Sequence, residues 1–121
     1  MLRNILFVGL GGAIGSMLRY GISLLMITKY FPYATLAVNI IGSFLIGLIF
    51  ALSIKEESFF YNWRIFLATG ICGGFTTFSA FSLENLGLLQ NGKYGMALIY
   101  ITISIIGGIL ATWMGYKLVG S

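Results

Sequence analysis

Long apolar runs, rather than strict alternation, organise this chain. Four of them stand out, over residues 5–27, 34–54, 65–89 and 94–119, each interrupted by only a few polar positions. Crossing a bilayer as a helix takes about 20 predominantly apolar residues, so each run predicts one membrane-spanning helix. The connections left between them are short: 28–33, which holds the only proline, 55–64 and 90–93. No stretch remains for a soluble domain. The expected fold is therefore all-α, a single four-helix transmembrane domain over residues 1–121. In lipid, its backbone polar groups must be paired within the helices. The opening MLRNILFVGLGGAIG carries its apolar run past a short signal-peptide core without a clear cleavage site, which predicts a retained first helix.

The third run departs from a plain hydrophobic anchor. Residues 70–85 read GICGGFTTFSAFSLEN, with three glycines and the hydroxyls of Thr76, Thr77, Ser79 and Ser82 in one stretch. Gly73 and Gly74 followed by Thr76 and Thr77 predict a break in the helix within the membrane. Such a break frees carbonyl oxygens, and these are tolerated at membrane depth only where protein or an ion satisfies them. Elsewhere, small residues recur four apart: Gly11 and Gly15, Ser43 and Gly47, Gly70 and Gly74, Gly107 and Ala111. That spacing puts each pair on one helix face and permits close helix contact. A tightly packed bundle follows, rather than four loosely associated anchors.

Composition strengthens the membrane reading. The 121 residues are 59% hydrophobic and 8% charged, against about 25% charged in an ordinary soluble domain. A single cysteine, Cys72, and no histidine leave no disulfide within the chain and no Cys/His metal site. Seven Lys and Arg against three acidic residues are too sparse for a nucleic-acid surface. Counted by side, Arg3, Lys55, Arg64 and Lys117 face Lys29 and Lys93, with Arg19 added if it reaches that way. Lys/Arg bias sets orientation, and this bias is small. It fits one weakly specified topology, or a chain that inserts both ways and pairs as an antiparallel dimer about a two-fold axis in the membrane plane.

Polar groups within the spans need partners or a function. Arg19 can snorkel to the interface or hold a positive charge at a pore mouth. Asn39 can glue helices together or turn its two N–H donors toward an anion. In the fourth run, Tyr100, Ser104, Gly108 and Thr112 lie four apart on one face. The three hydroxyls can form a polar track or bond back to carbonyls one turn earlier. Phe78 and Phe81 are three apart and so neighbours. They can be packing, or their electropositive ring edges can line a narrow slot for a small anion. Glu84 suits an ion pair, an acceptor near a pore end, or a proton carrier. Carbonyls freed at the break suit a hard cation such as Na⁺.

Three motifs together, GGAIGSMLRY (residues 11–20), TLAVNIIGSFLIG (35–47) and GICGGFTTFSAF (70–81), resemble those of the small bacterial fluoride channels of the Fluc (CrcB-type) family in order and spacing. The resemblance covers nearly the whole chain. It implies an antiparallel, dual-topology homodimer in the bacterial inner membrane, with two pores passively exporting cytoplasmic F⁻. Asn39, Phe78 and Phe81 would line each pore, with Tyr100, Ser104 and Thr112 along its polar track, Thr77, Ser82 and Glu84 beside it, and Arg19 in the vestibule. A central Na⁺ would be held by the main-chain carbonyls of Gly73 and Thr76 from both subunits. Gly108 departs from the pattern, occupying a point of the track where a hydroxyl is often found. The competing class is a proton-coupled small multidrug exporter, also of four spans. It would need a carboxylate in the first span, where this chain has Arg19, and the only intramembrane acid is Glu84 in the third.

Overall fold

In the computed structural model, which describes residues 1–26, 31–56 and 63–120, the protein is all-helical, with no strand among the described residues. Helix α1 is Leu2–Leu25 and α2 is Tyr33–Lys55. Helix α3 begins as a wide-turned π-helical stretch, Ile65–Cys72, and continues as the single α-helical turn Gly73–Phe75. Helix α4 is Phe78–Gln90 and α5 is Tyr94–Gly120. Counting α3 and α4 as one crossing, Ile65–Gln90, four helical stretches are long and apolar enough to span a membrane. The expected end of the first span at Ile27, the cation Lys29 and much of the 55–64 connection lie outside the described residues.

Local signals explain the ends. Pro32 precedes α2, where its missing N–H costs no helical bond. Helix α4 closes on Gly92, whose φ of 74° is the left-handed conformation that glycine adopts without penalty. Two reversed bonds complete that stop, from Lys93 N–H to the Leu88 carbonyl (2.8 Å) and from Gly92 N–H to the Leu89 carbonyl (3.1 Å).

The helices pack as two parallel pairs. Helix α1 lies along α3: a Cβ on Gly11 would meet the Gly70 Cα at 2.9 Å, and one on Gly15 would collide with the Ile71 carbonyl oxygen. Gly74 presses in the same way on Gly12. Helix α2 lies along α5, the most extensive helix contact among the described residues. There Gly47 abuts the Thr112 carbonyl, and Gly115 abuts the Phe44 carbonyl from the other side. Such backbone-to-backbone approach supplies the van der Waals contact that holds helices together where lipid removes the hydrophobic drive. A small core forms between α4 and α5, where Tyr100 is fully buried with Leu88 and Ala97, and Phe31 and Phe81 pack against it. Large apolar side chains such as Leu6, Leu10, Ile109 and Trp113 stay exposed around the outside. Lipid can cover that surface; water would not stabilise it.

Candidate functional site

The interruption of the third crossing falls at two residues. Thr76 (φ −87°, ψ 155°) and Thr77 (φ −151°, ψ 124°) are extended, while Gly73 and Gly74 remain helical. The glycines sit beside the break rather than forming it. Gly74 is needed because Gly12 of α1 leaves no room for a side chain.

Several groups released by the interruption have found partners. A continuing helix would send the Thr77 N–H to the Gly73 carbonyl. Instead it donates to the Asn39 Oδ1 at 2.9 Å, and the Asn39 Nδ2 donates to the Thr77 carbonyl at 3.3 Å. One side-chain amide thus pairs with both polar groups of an extended residue, as a neighbouring strand would. Thr77 in turn caps α4, its Oγ1 accepting from the Ala80 N–H at 3.2 Å, the usual way an N-terminal donor is satisfied. Thr76 folds its hydroxyl back on the Cys72 carbonyl at 2.8 Å. Arg19 reaches from α1, its Nε donating to the Gly74 carbonyl at 3.2 Å. Gly74 belongs to the last turn of α3, whose carbonyls lack helical donors and carry the negative end of the helix dipole.

Beside the interruption lies a cavity of about 430 Å³, enclosed by α2, α3, α4 and α5 and open on one side of the chain. Asn39, Gly73, Thr76, Thr77, Phe78, Phe81 and Ser104 all line it. The rings of Phe78 and Phe81 stand 5.6 Å apart between centroids. Phe78 is 77% exposed in the single chain. The Ser104 hydroxyl is buried at its oxygen and has no hydrogen-bond partner. A buried, unpaired hydroxyl costs free energy unless something in the cavity pairs with it.

Other candidates lie apart from the cavity. Glu84 is clamped by two hydroxyls, Tyr100 donating to its Oε1 and Thr35 to its Oε2, each at 2.9 Å. This clamp ties α2, α4 and α5 together at one point. Thr112 donates toward the Ser43 and Gly108 carbonyls, both at 3.0 Å, and so belongs to the α2–α5 seam. Ser82 is exposed on α4. The fourth-span stripe therefore divides three ways: Tyr100 to a carboxylate, Ser104 to the cavity and Thr112 to a helix contact. Ser43, Thr69 and Cys72 line the cavity without having been singled out as site residues. Ser43 carried only the small-residue signal, and Thr69 carried none beyond being a hydroxyl in an apolar run.

Four apolar crossings with a partly open cavity at an interrupted helix define a multi-pass membrane protein. Residues 6–116 match the model of the CrcB-like protein family, also described as Camphor Resistance (CrcB), and the chain belongs to that family. A protein of Azobacteroides pseudotrichonymphae named "Fluoride-specific ion channel FluC" is 48% identical over 121 residues, covering 98% of this chain and 97% of the relative. Proteins of the same name from Flavobacterium psychrophilum (47% identical, 94% of each chain) and Thermus thermophilus (47%, covering 99% of this chain and 98% of the relative) are similar over comparable lengths.

Proposed function

We propose that this protein is a fluoride-selective channel, not an enzyme, which lets F⁻ leave the bacterial cytoplasm through the inner membrane without an energy source of its own. The observation that carries the reading is the cavity where Asn39, Ser104 and the rings of Phe78 and Phe81 meet at the helix interruption, in a chain whose near full-length relatives carry the fluoride-channel name. Fluoride is small and holds its water tightly, so a selective path must replace that water with donors. Asn39 has one amide N–H beyond the one given to Thr77. The unpartnered Ser104 hydroxyl supplies a second donor, and the electropositive edges of the two phenyl rings supply weaker ones. Transport needs no coupling: HF enters from acidic surroundings and dissociates inside. The inside-negative potential then drives F⁻ outward with about 2.3 kcal/mol per 100 mV.

The working unit in this reading is an antiparallel homodimer with two pores. The openness of the cavity and the exposure of Phe78 support it, because a second copy laid on that side would close the path. The near balance of positive charges supports insertion in both directions. Labelling of single cysteines introduced at Glu56 and at Lys93, with Cys72 replaced by Ser, should then modify each from both faces of the membrane. One-sided labelling at both positions would reject it. A structural Na⁺ at the centre, held by the Gly73 and Thr76 carbonyls, fits the donor set. Asn39 diverts the Thr77 N–H from the Gly73 carbonyl, and carbonyl oxygens suit a hard cation. Replacing Na⁺ by N-methylglucamine should lower the thermal stability of the purified protein; unchanged stability speaks against the ion.

The decisive experiment for the function is efflux from proteoliposomes. F⁻ should leave rapidly while Cl⁻ is retained. Comparable Cl⁻ flux removes the selectivity, and proton-coupled efflux of an organic cation would favour an exporter.

A further inference from the structure

A second hollow, of about 450 Å³, shares no lining residue with the candidate conduction site; it lies against the starts of α1 and α3 and is lined by Arg3, Phe7, Leu10, Trp63 and Phe66. Four of these are apolar, and their rings interlock edge to face, Phe7 with Phe66 at 6.5 Å and Trp63 with Phe66 at 6.2 Å. The Arg3 guanidinium stands 6.0 Å from the centroid of the Phe7 ring, so the single charge sits at the mouth of an aromatic wall. The volume is within the range of ordinary ligand sites, about 300–1,000 Å³. We propose that this hollow binds an anionic phospholipid of the surrounding bilayer, with the lipid phosphate at Arg3 and the upper part of an acyl chain against Phe7, Leu10, Trp63 and Phe66.

The occupant follows from position and charge. The hollow lies at an end of the apolar crossings, where tryptophan rings settle at the headgroup level, and its walls face outward, with Leu10 58% exposed and Trp63 50%. Helices α1 and α3 run parallel, so two positive dipole ends meet there. Neither first turn contains an acidic residue, and neither helix start has a side-chain cap. Arg64 is the neighbour of Trp63 in the chain, and α2 and α5 bring Lys55 and Lys117 to the same end of the bundle in their last turns, against two acids that follow Lys55 in the sequence, Glu56 and Glu57. A zwitterionic headgroup carries its own cation into that field; an anionic one does not. Basic pockets between membrane helices are built in this way for anionic headgroups.

Trp63 is its own probe once Trp113→Phe leaves it as the only tryptophan. The full chain would be reconstituted with phosphatidylcholine or phosphatidylglycerol brominated high on the acyl chain, at matched mole fractions, and the quenching of Trp63 read. Brominated phosphatidylglycerol should quench as though enriched about fivefold at the site, the effect of one basic residue at the surface. Arg3→Gln should remove most of that excess, and Arg3→Lys should keep it. Equal quenching by the two lipids would overturn the proposal. So would an excess that survives Arg3→Gln but vanishes in Arg64→Gln. Weak quenching by both lipids would mean that a second copy or another part of the chain covers the hollow, and would equally reject it.

Discussion

The interruption at Thr76 and Thr77 and the seam between α2 and α5 are made from the same residue types, yet they do opposite things. Both are rich in glycine and hydroxyls, and in both a side chain bonds to a backbone carbonyl of a distant residue. In the seam, Gly47 and Gly115 bring two helix backbones into contact, and Thr112 places its hydroxyl on the carbonyls of Ser43 and Gly108. At the interruption, Asn39 holds an extended residue away from the helix path, and a cavity opens beside it. The buried hydroxyl of Ser104, on the cavity wall, has no partner. Small and polar residues in a membrane helix thus mean packing where their groups are satisfied, and a site where a backbone is diverted and a donor is left over.

The severest test of this contrast is in the seam. A methyl group on Gly47 would strike the Thr112 carbonyl, and one on Gly115 would strike the Phe44 carbonyl, both backbone atoms that cannot swing aside. Gly47→Ala and Gly115→Ala should each cost about 3 kcal/mol, the upper end of ordinary overpacking, and lower the yield of folded protein. Gly9→Ala and Gly87→Ala, where nothing lies within 4 Å, should be neutral or stabilising by up to about 1 kcal/mol from helix propensity. Thermal unfolding in detergent separates the two groups. Equal stability across all four variants would mean that the seam is not held by backbone contact.

Next comes Asn39. Asn39→Leu keeps the size of the side chain but leaves the Thr77 N–H and carbonyl without their partner, at about 1–3 kcal/mol for each group left buried. The variant should be less stable than the parent and should also lose F⁻ efflux, because the Thr77 cap of α4 and the cavity wall depend on the same amide. Normal efflux in Asn39→Leu would leave Asn39 a structural tie alone.

The phenylalanines separate packing from conduction. Phe78→Ile and Phe81→Ile retain an apolar side chain and remove the ring edge. Their stability should fall by no more than about 2 kcal/mol, the cost of lost volume in a packed site. Efflux per folded protein should fall by at least about tenfold, equivalent to 1.4 kcal/mol and within what an aromatic interaction supplies. Leu86→Ala, an exposed position away from the cavity, should leave efflux near normal. Undiminished efflux in both phenylalanine variants would return the rings to packing.

Much of the architecture was legible because it depends on composition over long windows. The spans expected at 34–54, 65–89 and 94–119 lie within a residue or two of Tyr33–Lys55, Ile65–Gln90 and Tyr94–Gly120. The first helix starts earlier than its apolar run, at Leu2, because an outermost turn can carry Arg3 and Asn4 without burying them. Partners were not legible. The Asn39 amide meets residue 77, and Arg19 meets residue 74, at separations of 38 and 55 positions. Periodicity tells which face a residue occupies but not which helix lies against that face, or how that helix is rotated. The same gap explains the glycines. Gly73 and Gly74 suggested a weak helix, but only the position of Gly12 shows that Gly74 is there for contact and that the extended residues come next.

The smallest expected effects test the fourth-span stripe, where Ser104 and Thr112 lie on one helical face but in different surroundings. Thr112→Val removes a hydroxyl that the Ser43 and Gly108 carbonyls already occupy. It should cost about 1 kcal/mol, the net worth of one hydrogen bond, and leave F⁻ efflux within about twofold, since a change in packing alone does not touch the cavity. Ser104→Ala removes a hydroxyl with no protein partner, so stability should hold or rise slightly. If the proposed conduction path is right, efflux should nonetheless fall several-fold, because Ser104 lines the cavity and its hydroxyl is spoken for by no protein group. Measured together in proteoliposomes and by thermal unfolding, the two variants should move in opposite directions on the two scales. If instead both depress efflux equally while neither changes stability, the stripe acts as one continuous track. The seam and the site would then not be separate regions at that point, and the Thr112 hydroxyl would have to turn from its carbonyls toward the ion during conduction.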